Sequence, residues 1–259
     1  MQTLLLAIAL FANLLKADDA LVKAADPAFP FESWNELTKK YVDDKGRVDY
    51  AKLKGSAEDV RALDKLFAEV AATGPKSHPE QFKTKGAREA YYVDAYNILV
   101  WKNVLGRIPK MNNVDKEKAS FFFFTKFVVD GKELNLKDLE GDVIRPTFKD
   151  GRVHMALNCA SGGCPQLPNY AFTPAKVDEQ LSAEARKFCN EKRNVDFDAA
   201  TKEVKLSHIF DWYKEDFGKE PAKVLEWINN YRTDKIPTDA KLKYVDYDWT
   251  LNDVSILKR

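Results

Sequence analysis

The chain has 259 residues, 45% of them hydrophobic, with Lys plus Arg at 41 against Asp plus Glu at 40 and a formal net charge of +1. That is enough apolar sequence for one large core or two small ones, which excludes disorder as the main state. The balanced charge gives no overall attraction to a phosphate backbone, so nucleic acid is not an expected partner.

Leu4 to Leu15 is an almost unbroken apolar run that ends at Lys16-Ala17-Asp18-Asp19-Ala20. It is short for a membrane span and the right length for a secretory h-region, so residues 1–20 read as a signal peptide. No Lys or Arg precedes the run, and the competing reading is a retained amphipathic or membrane-anchoring helix. No later stretch has membrane-spanning length. Residues 21–259 are then expected to form one domain in the periplasm or outside the cell, where disulfides persist.

Phe31 to Tyr41 predicts a short helix with Ser33 as N-cap and Trp34 and Leu37 facing inward. Val60 to Ala72 carries Leu63, Leu66, Phe67 and Val70 on one face and stops at Gly74-Pro75. Ala87 to Leu105 is the longest helical segment. Asn97 interrupts its apolar stripe, and a buried carboxamide must find partners. It either bonds the backbone of a packed loop or orients a catalytic imidazole or loop.

Phe121 to Val129 and Lys132 to Leu136, joined by Asp130-Gly131, predict a β-hairpin. Asn135 then caps a helix that carries Glu140 and ends by Arg145-Pro146. Val153 to Leu157 predicts a short strand leading into Asn158-Cys159-Ala160-Ser161-Gly162-Gly163-Cys164-Pro165. Val177 to Lys192 predicts a helix that buries Cys189 as a small hydrophobe. Val195 to Phe197 and Val204 to Leu206 form a second hairpin, Ser207 caps a helix that ends near Phe217-Gly218, and Val224 to Tyr231 forms another. Leu242 to Trp249 closes the chain as a strand. The strand pairs are hairpins and no run of β-α-β units occurs, so the fold class is α+β, with helices on a small, largely antiparallel sheet. An arrangement of papain type is one form it could take.

The chemistry concentrates in one place. Of only three histidines and three cysteines, His154, Cys159 and Cys164 fall within eleven residues. Imidazole moves protons near neutral pH and thiolate is a strong nucleophile, so the pattern points to a hydrolase or acyl transferase acting on an amide or peptide bond. On one extended strand His154 and Cys159 would lie about 16 Å apart. Cys164 can return after the Gly-Gly turn and, with Pro165 at a first helical position, sits where helix amides lower a thiol pKa, so it is the favoured nucleophile. His154 is then the base, Glu140 or Asn97 its orienting partner, and Asn158 with the amides of Ser161, Gly162 and Gly163 the oxyanion pocket. Arg145 and Arg152 either bind an anionic substrate or pair with nearby carboxylates. The competing reading, from another class, is a non-catalytic envelope binding or scaffold module pinned by a Cys159–Cys164 disulfide. No metal or other cofactor is expected, because no further Cys or His pair follows at zinc-site spacing.

Five ordered motifs carry a resemblance: Tyr92-Val-Asp-Ala-Tyr-Asn97, Asp130 to Glu140 continuing to Arg145, His154-Met-Ala-Leu-Asn-Cys159 with Cys164-Pro165, Ser207 to Phe217, and Tyr247-Asp-Trp-Thr-Leu-Asn252. Together they resemble the family catalogued as domain of unknown function 547, from about Tyr50 to Asn252. The resemblance implies that the Glu140 helix, His154, Cys159 and Cys164 lie in the family's most distinctive region, and that Asn97 matches its Tyr-Asn step. The chain departs from the family in having Gly141 where many members have His. It also has Asp94 where members often have Asn, which would add charge near the candidate site.

Overall fold

The computed structural model describes residues 29–258, and the expected signal peptide over residues 1–20 lies outside them. Among the described residues no helix is long and apolar enough to cross a membrane.

Helix α1 (Phe31–Tyr41) has the expected bounds, but Pro30 holds the N-cap position and Ser33 lies inside the helix without capping it. Helix α2 (Tyr50–Gly55) is capped by Asp49. In α3 (Ala57–Ala72) the Ser56 side chain accepts from the Asp59 amide, and Leu63, Leu66 and Val70 form the buried stripe. Thr84 likewise starts α4 (Lys85–Leu105). This helix is buried on nearly every side, including the Glu89 to Leu105 stretch that carries Tyr96 and Asn97. A helix buried all round belongs at the centre of a core rather than on its surface. Trp34 packs edge-on to its Trp101 at 4.8 Å between ring centroids.

The first hairpin is present but shorter than expected, with β1 (Phe127–Val129) pairing antiparallel with β2 (Lys132–Leu134). Ala119–Phe124 is instead a π-helical turn. Arg107 holds it there by donating to the hydroxyls of Ser120 and Thr125, both at 2.9 Å, while Asn103 donates to the Phe121 carbonyl. A run of four phenylalanines has high strand propensity, but these tertiary bonds override it.

Asn135 caps the following helix as expected, accepting from the Asp138 amide at 2.7 Å. The helix begins over Leu136–Asp138, widens to a π-turn over Leu139–Ile144 and returns to α over Arg145–Phe148, and the three parts together are α5. The expected strand at Val153 is a 3-10 turn, Gly151–Met155. Asp150 dictates this by accepting from the Arg152 amide through its side chain and from the Val153 amide through its carbonyl. Apolar residues here report burial on two sides, which periodicity does not distinguish from a strand. No helix follows Cys164 directly; the chain runs irregularly to α6 (Val177–Asn190), so Pro165 does not open a helix.

The second hairpin, β3 (Val195–Asp198) with β4 (Glu203–Ser207), is antiparallel. After α7 (Ile209–Trp212) and α8 (Pro221–Asn229), β5 (Lys241–Val245) pairs parallel to β4, which makes this sheet mixed. The architecture is α+β, with helices around two small sheets. Two clusters of buried side chains organise it: one around α1 to α5, the other around α6, α7, α8 and the mixed sheet. Val153 belongs to the first and Met155 to the second. His154 stands between them.

Candidate binding site

His154 is buried and both of its ring nitrogens face carboxylates. Nε2 lies 2.7 Å from Asp216 Oδ2 and Nδ1 lies 3.4 Å from Glu140 Oε1. Gly151 makes the first contact possible, because a Cβ there would stand 2.8 Å from the Asp216 carbonyl oxygen. Arg145 donates to the same Asp216 oxygen at 2.6 Å, and its guanidinium lies over the Tyr213 ring, which stacks on His154 at 4.0 Å. Burial works against protonation of His154, but hydrogen bonds to the carboxylates of Asp216 and Glu140 outweigh it and the pKa is raised. For Asp216 burial favours the neutral acid, and His154 and Arg145 overcome it, holding the pKa at about 2. The cluster is an imidazole fixed between two carboxylates. It has no free ring nitrogen to serve as a base.

The cysteines correct the leading functional expectation. Cys159 and Cys164 are joined in a disulfide, so neither supplies a thiolate. Cys189 is the free thiol among the described residues, buried in α6, where burial pushes its pKa up to about 12. It has the role of small hydrophobe expected of it. No Cys–His pair forms, and the cysteine hydrolase or acyl transferase, with Cys164 or Cys159 as nucleophile and His154 as its base, is overturned. The oxyanion pocket goes with it. The Gly162 and Gly163 amides donate to the carbonyls of Thr250 and Asp248 at 2.7 and 2.6 Å, and Ser161 bridges to Leu251.

A chain of buried amides fixes the disulfide loop. Asn97 donates to the Ala156 carbonyl and accepts from the Asn158 amide, both at 3.0 Å. Asn158 donates to Pro165 and accepts from Ala160 and from Asn252, whose own side chain accepts from the Tyr50 hydroxyl. Asn97 therefore has the first of its two expected roles, bonding the backbone of a packed loop. The C-terminal segment lies directly on that loop, since a Cβ at Gly163 would stand 2.7 Å from the Tyr247 ring. The Tyr247 hydroxyl touches both sulfurs, at 3.4 and 3.3 Å, and Ser161 Oγ at 3.1 Å.

Arg152 pairs with Asp150 and Asp178 and donates to Ser182. It ties the 3-10 turn to α6, and Arg145 is held by Asp216, so both arginines settle on carboxylates of the protein. Asp94 does not line the cleft described below. It is fully buried, accepts from the Phe172 amide, and its pKa lies well above the ordinary value because of that burial.

Above the cystine and His154 opens a cleft of about 370 Å³. Its floor includes Glu140, Arg145, His154, Cys159 and Cys164; its walls include Tyr96, Phe122, Phe123, Trp212, Tyr213, Tyr247 and Trp249; Lys118 and Lys137 also line it. Trp212, Tyr247 and Trp249 form a contiguous bank with centroids 4.6 to 5.8 Å apart. Sequence reasoning missed this wall and missed Asp216. The available signals were the paired motifs Asp211-Trp-Tyr213 and Tyr247-Asp-Trp249, in which aromatic residues recur without helical or strand periodicity. Among the described residues no group of three or more His, Cys, Asp or Glu side chains is arranged to hold a metal ion.

Residues 79–189 match the family described as Protein of unknown function, DUF547, as the sequence motifs led us to expect. The match takes in the floor of the cleft and ends before Trp212, Tyr213, Asp216, Tyr247 and Trp249. Neither a curated protein nor a solved structure matches the chain.

Proposed function

We propose that this protein is a non-catalytic binding module of the cell envelope or extracellular space that holds a small ligand in the aromatic-walled cleft. The observation that carries the reading is the cleft itself. Seven aromatic side chains line a concavity whose floor holds a cystine, which has no thiolate to offer, and an imidazole whose two ring nitrogens both face carboxylates of the protein. A few fixed polar groups beneath an apolar wall is the composition of a small-molecule site. The disulfide supports an oxidising compartment. A papain-type arrangement, which accompanied the thiol chemistry, is no part of this reading, and a peptide or amide becomes a ligand to be tried rather than a substrate.

The test is a panel of small molecules and short peptides, neutral, anionic and cationic, with binding followed on the indole N–H resonances of Trp212 and Trp249. Hits that shift these signals and are lost in Trp212→Ala support the module. Hits confined to other surfaces, or chemical turnover of a bound compound, would refute it. Alkylation of the unfolded, unreduced chain should mark Cys189 alone, and two further cysteines only after reduction.

A further inference from the structure

From the charges at the cleft we infer that its ligand is a flat ring compound carrying an anionic group, an inference that rests on the binding reading above. Two of the basic side chains that line it are already engaged. Arg145 is held by Asp216, and His154 by Asp216 and Glu140. The two lysines are not. Lys137 is exposed and forms no salt bridge among the described residues, and the nearest carboxylate to Lys118 is that of Asp115 at 3.8 Å, with both side chains about half exposed. Such a pair holds its charge only weakly. The Lys118 ammonium also lies 4.5 Å from the centroid of Trp249, which places a cation at the edge of the aromatic bank.

The ring side is equally specific. Trp212 and Phe123 are each 45% exposed although both line the cleft, so wet aromatic surface is left for a second flat group to cover. The stack of Trp212 on Trp249, 28° between planes, gives that group a platform. An organic anion of this kind satisfies both features, with the ring on the tryptophans and the charge toward Lys118 and Lys137.

The inference is tested by calorimetry on the oxidised full-length chain with three probes: naphthylacetate, its neutral amide naphthylacetamide, and hexanoate, which has the charge and no ring. Naphthylacetate should bind about tenfold more tightly than either of the others at low salt, and its advantage over the amide should shrink about threefold or more at an ionic strength of about 0.3 M. The same loss is expected in Lys137→Met and Lys118→Met, both surface changes that leave the core intact. Equal binding of acid and amide, or an acid-to-amide ratio unchanged by the double lysine variant, overturns the inference. So does a failure of naphthylacetate to bind at all. The cleft as a binding site survives that last result if neutral or cationic panel members still shift Trp212, and falls with it if they do not.

Discussion

The two sides of the cleft are built by opposite means. The side made by Glu140, His154 and the cystine loop is polar and over-determined: His154 is fixed by two carboxylates, one of them Asp216 from far along the chain, and the cystine loop by Asn97 and Asn158. The side from beyond residue 189 is a bank of aromatic rings that touch each other and partly face water. One side is preorganised by hydrogen bonds, each of which is costly to leave unmade when buried. The other offers contact area and little else. The difference teaches that stability and ligand choice are carried by separate groups, so mutations should separate them.

The largest effect should come from Asn97→Ala, which leaves the Ala156 carbonyl and the Asn158 amide without their buried partner. We expect a loss of about 3 kcal/mol in urea unfolding. A loss below that of a surface change would show that the loop is not held by this clamp. Opening the disulfide by Cys159→Ser with Cys164→Ser should cost about 2 kcal/mol, the value for releasing so short a loop in the unfolded chain. Its effect should add to that of Asn97→Ala only in part, because both act on one loop.

A pH effect of intermediate size belongs to His154. Its folded pKa is raised, so the native state binds the proton more tightly and the contribution is fully present below the unfolded value of about 6.5. Stability is lost as pH rises from there through the raised folded value, by at most about 1.4 kcal/mol per pH unit. In His154→Gln that slope should vanish while the rest of the pH curve is kept. The smallest change in stability is expected for Trp212→Ala, within about 0.5 kcal/mol, together with a drop in ligand affinity of about tenfold. If Trp212→Ala unfolded the protein as Asn97→Ala does, the division of labour between the two sides would be wrong.

Much of the α+β architecture was legible because its signals are local. The Leu63–Leu66–Val70 stripe, Asn135 before α5 and the Asp130-Gly131 turn each act within a few residues. The site was legible only as a cluster. His154, Glu140, Cys159, Cys164 and Asn97 do converge on one region, but their roles depend on partners far along the chain. Asp216 stands 62 residues from His154 and engages its Nε2. Spacing alone does not choose between the disulfide and the activated thiol, because a five-residue separation allows either. The Phe121 to Phe124 run and the Val153 turn misled for a related reason: side chains at Arg107 and Asp150 decide their backbone conformation.

The bond between Tyr50 and Asn252 spans 202 residues, and Asn252 also braces Asn158 next to the cystine. During synthesis, therefore, Cys159 and Cys164 leave the ribosome well before the side chain that completes their surroundings exists. A growing chain halted short of residue 247 carries both thiols with neither Tyr247 over the sulfurs nor Asn252 behind them. An oxidant that reaches the cysteines early must act on a loop braced from the Asn97 side alone.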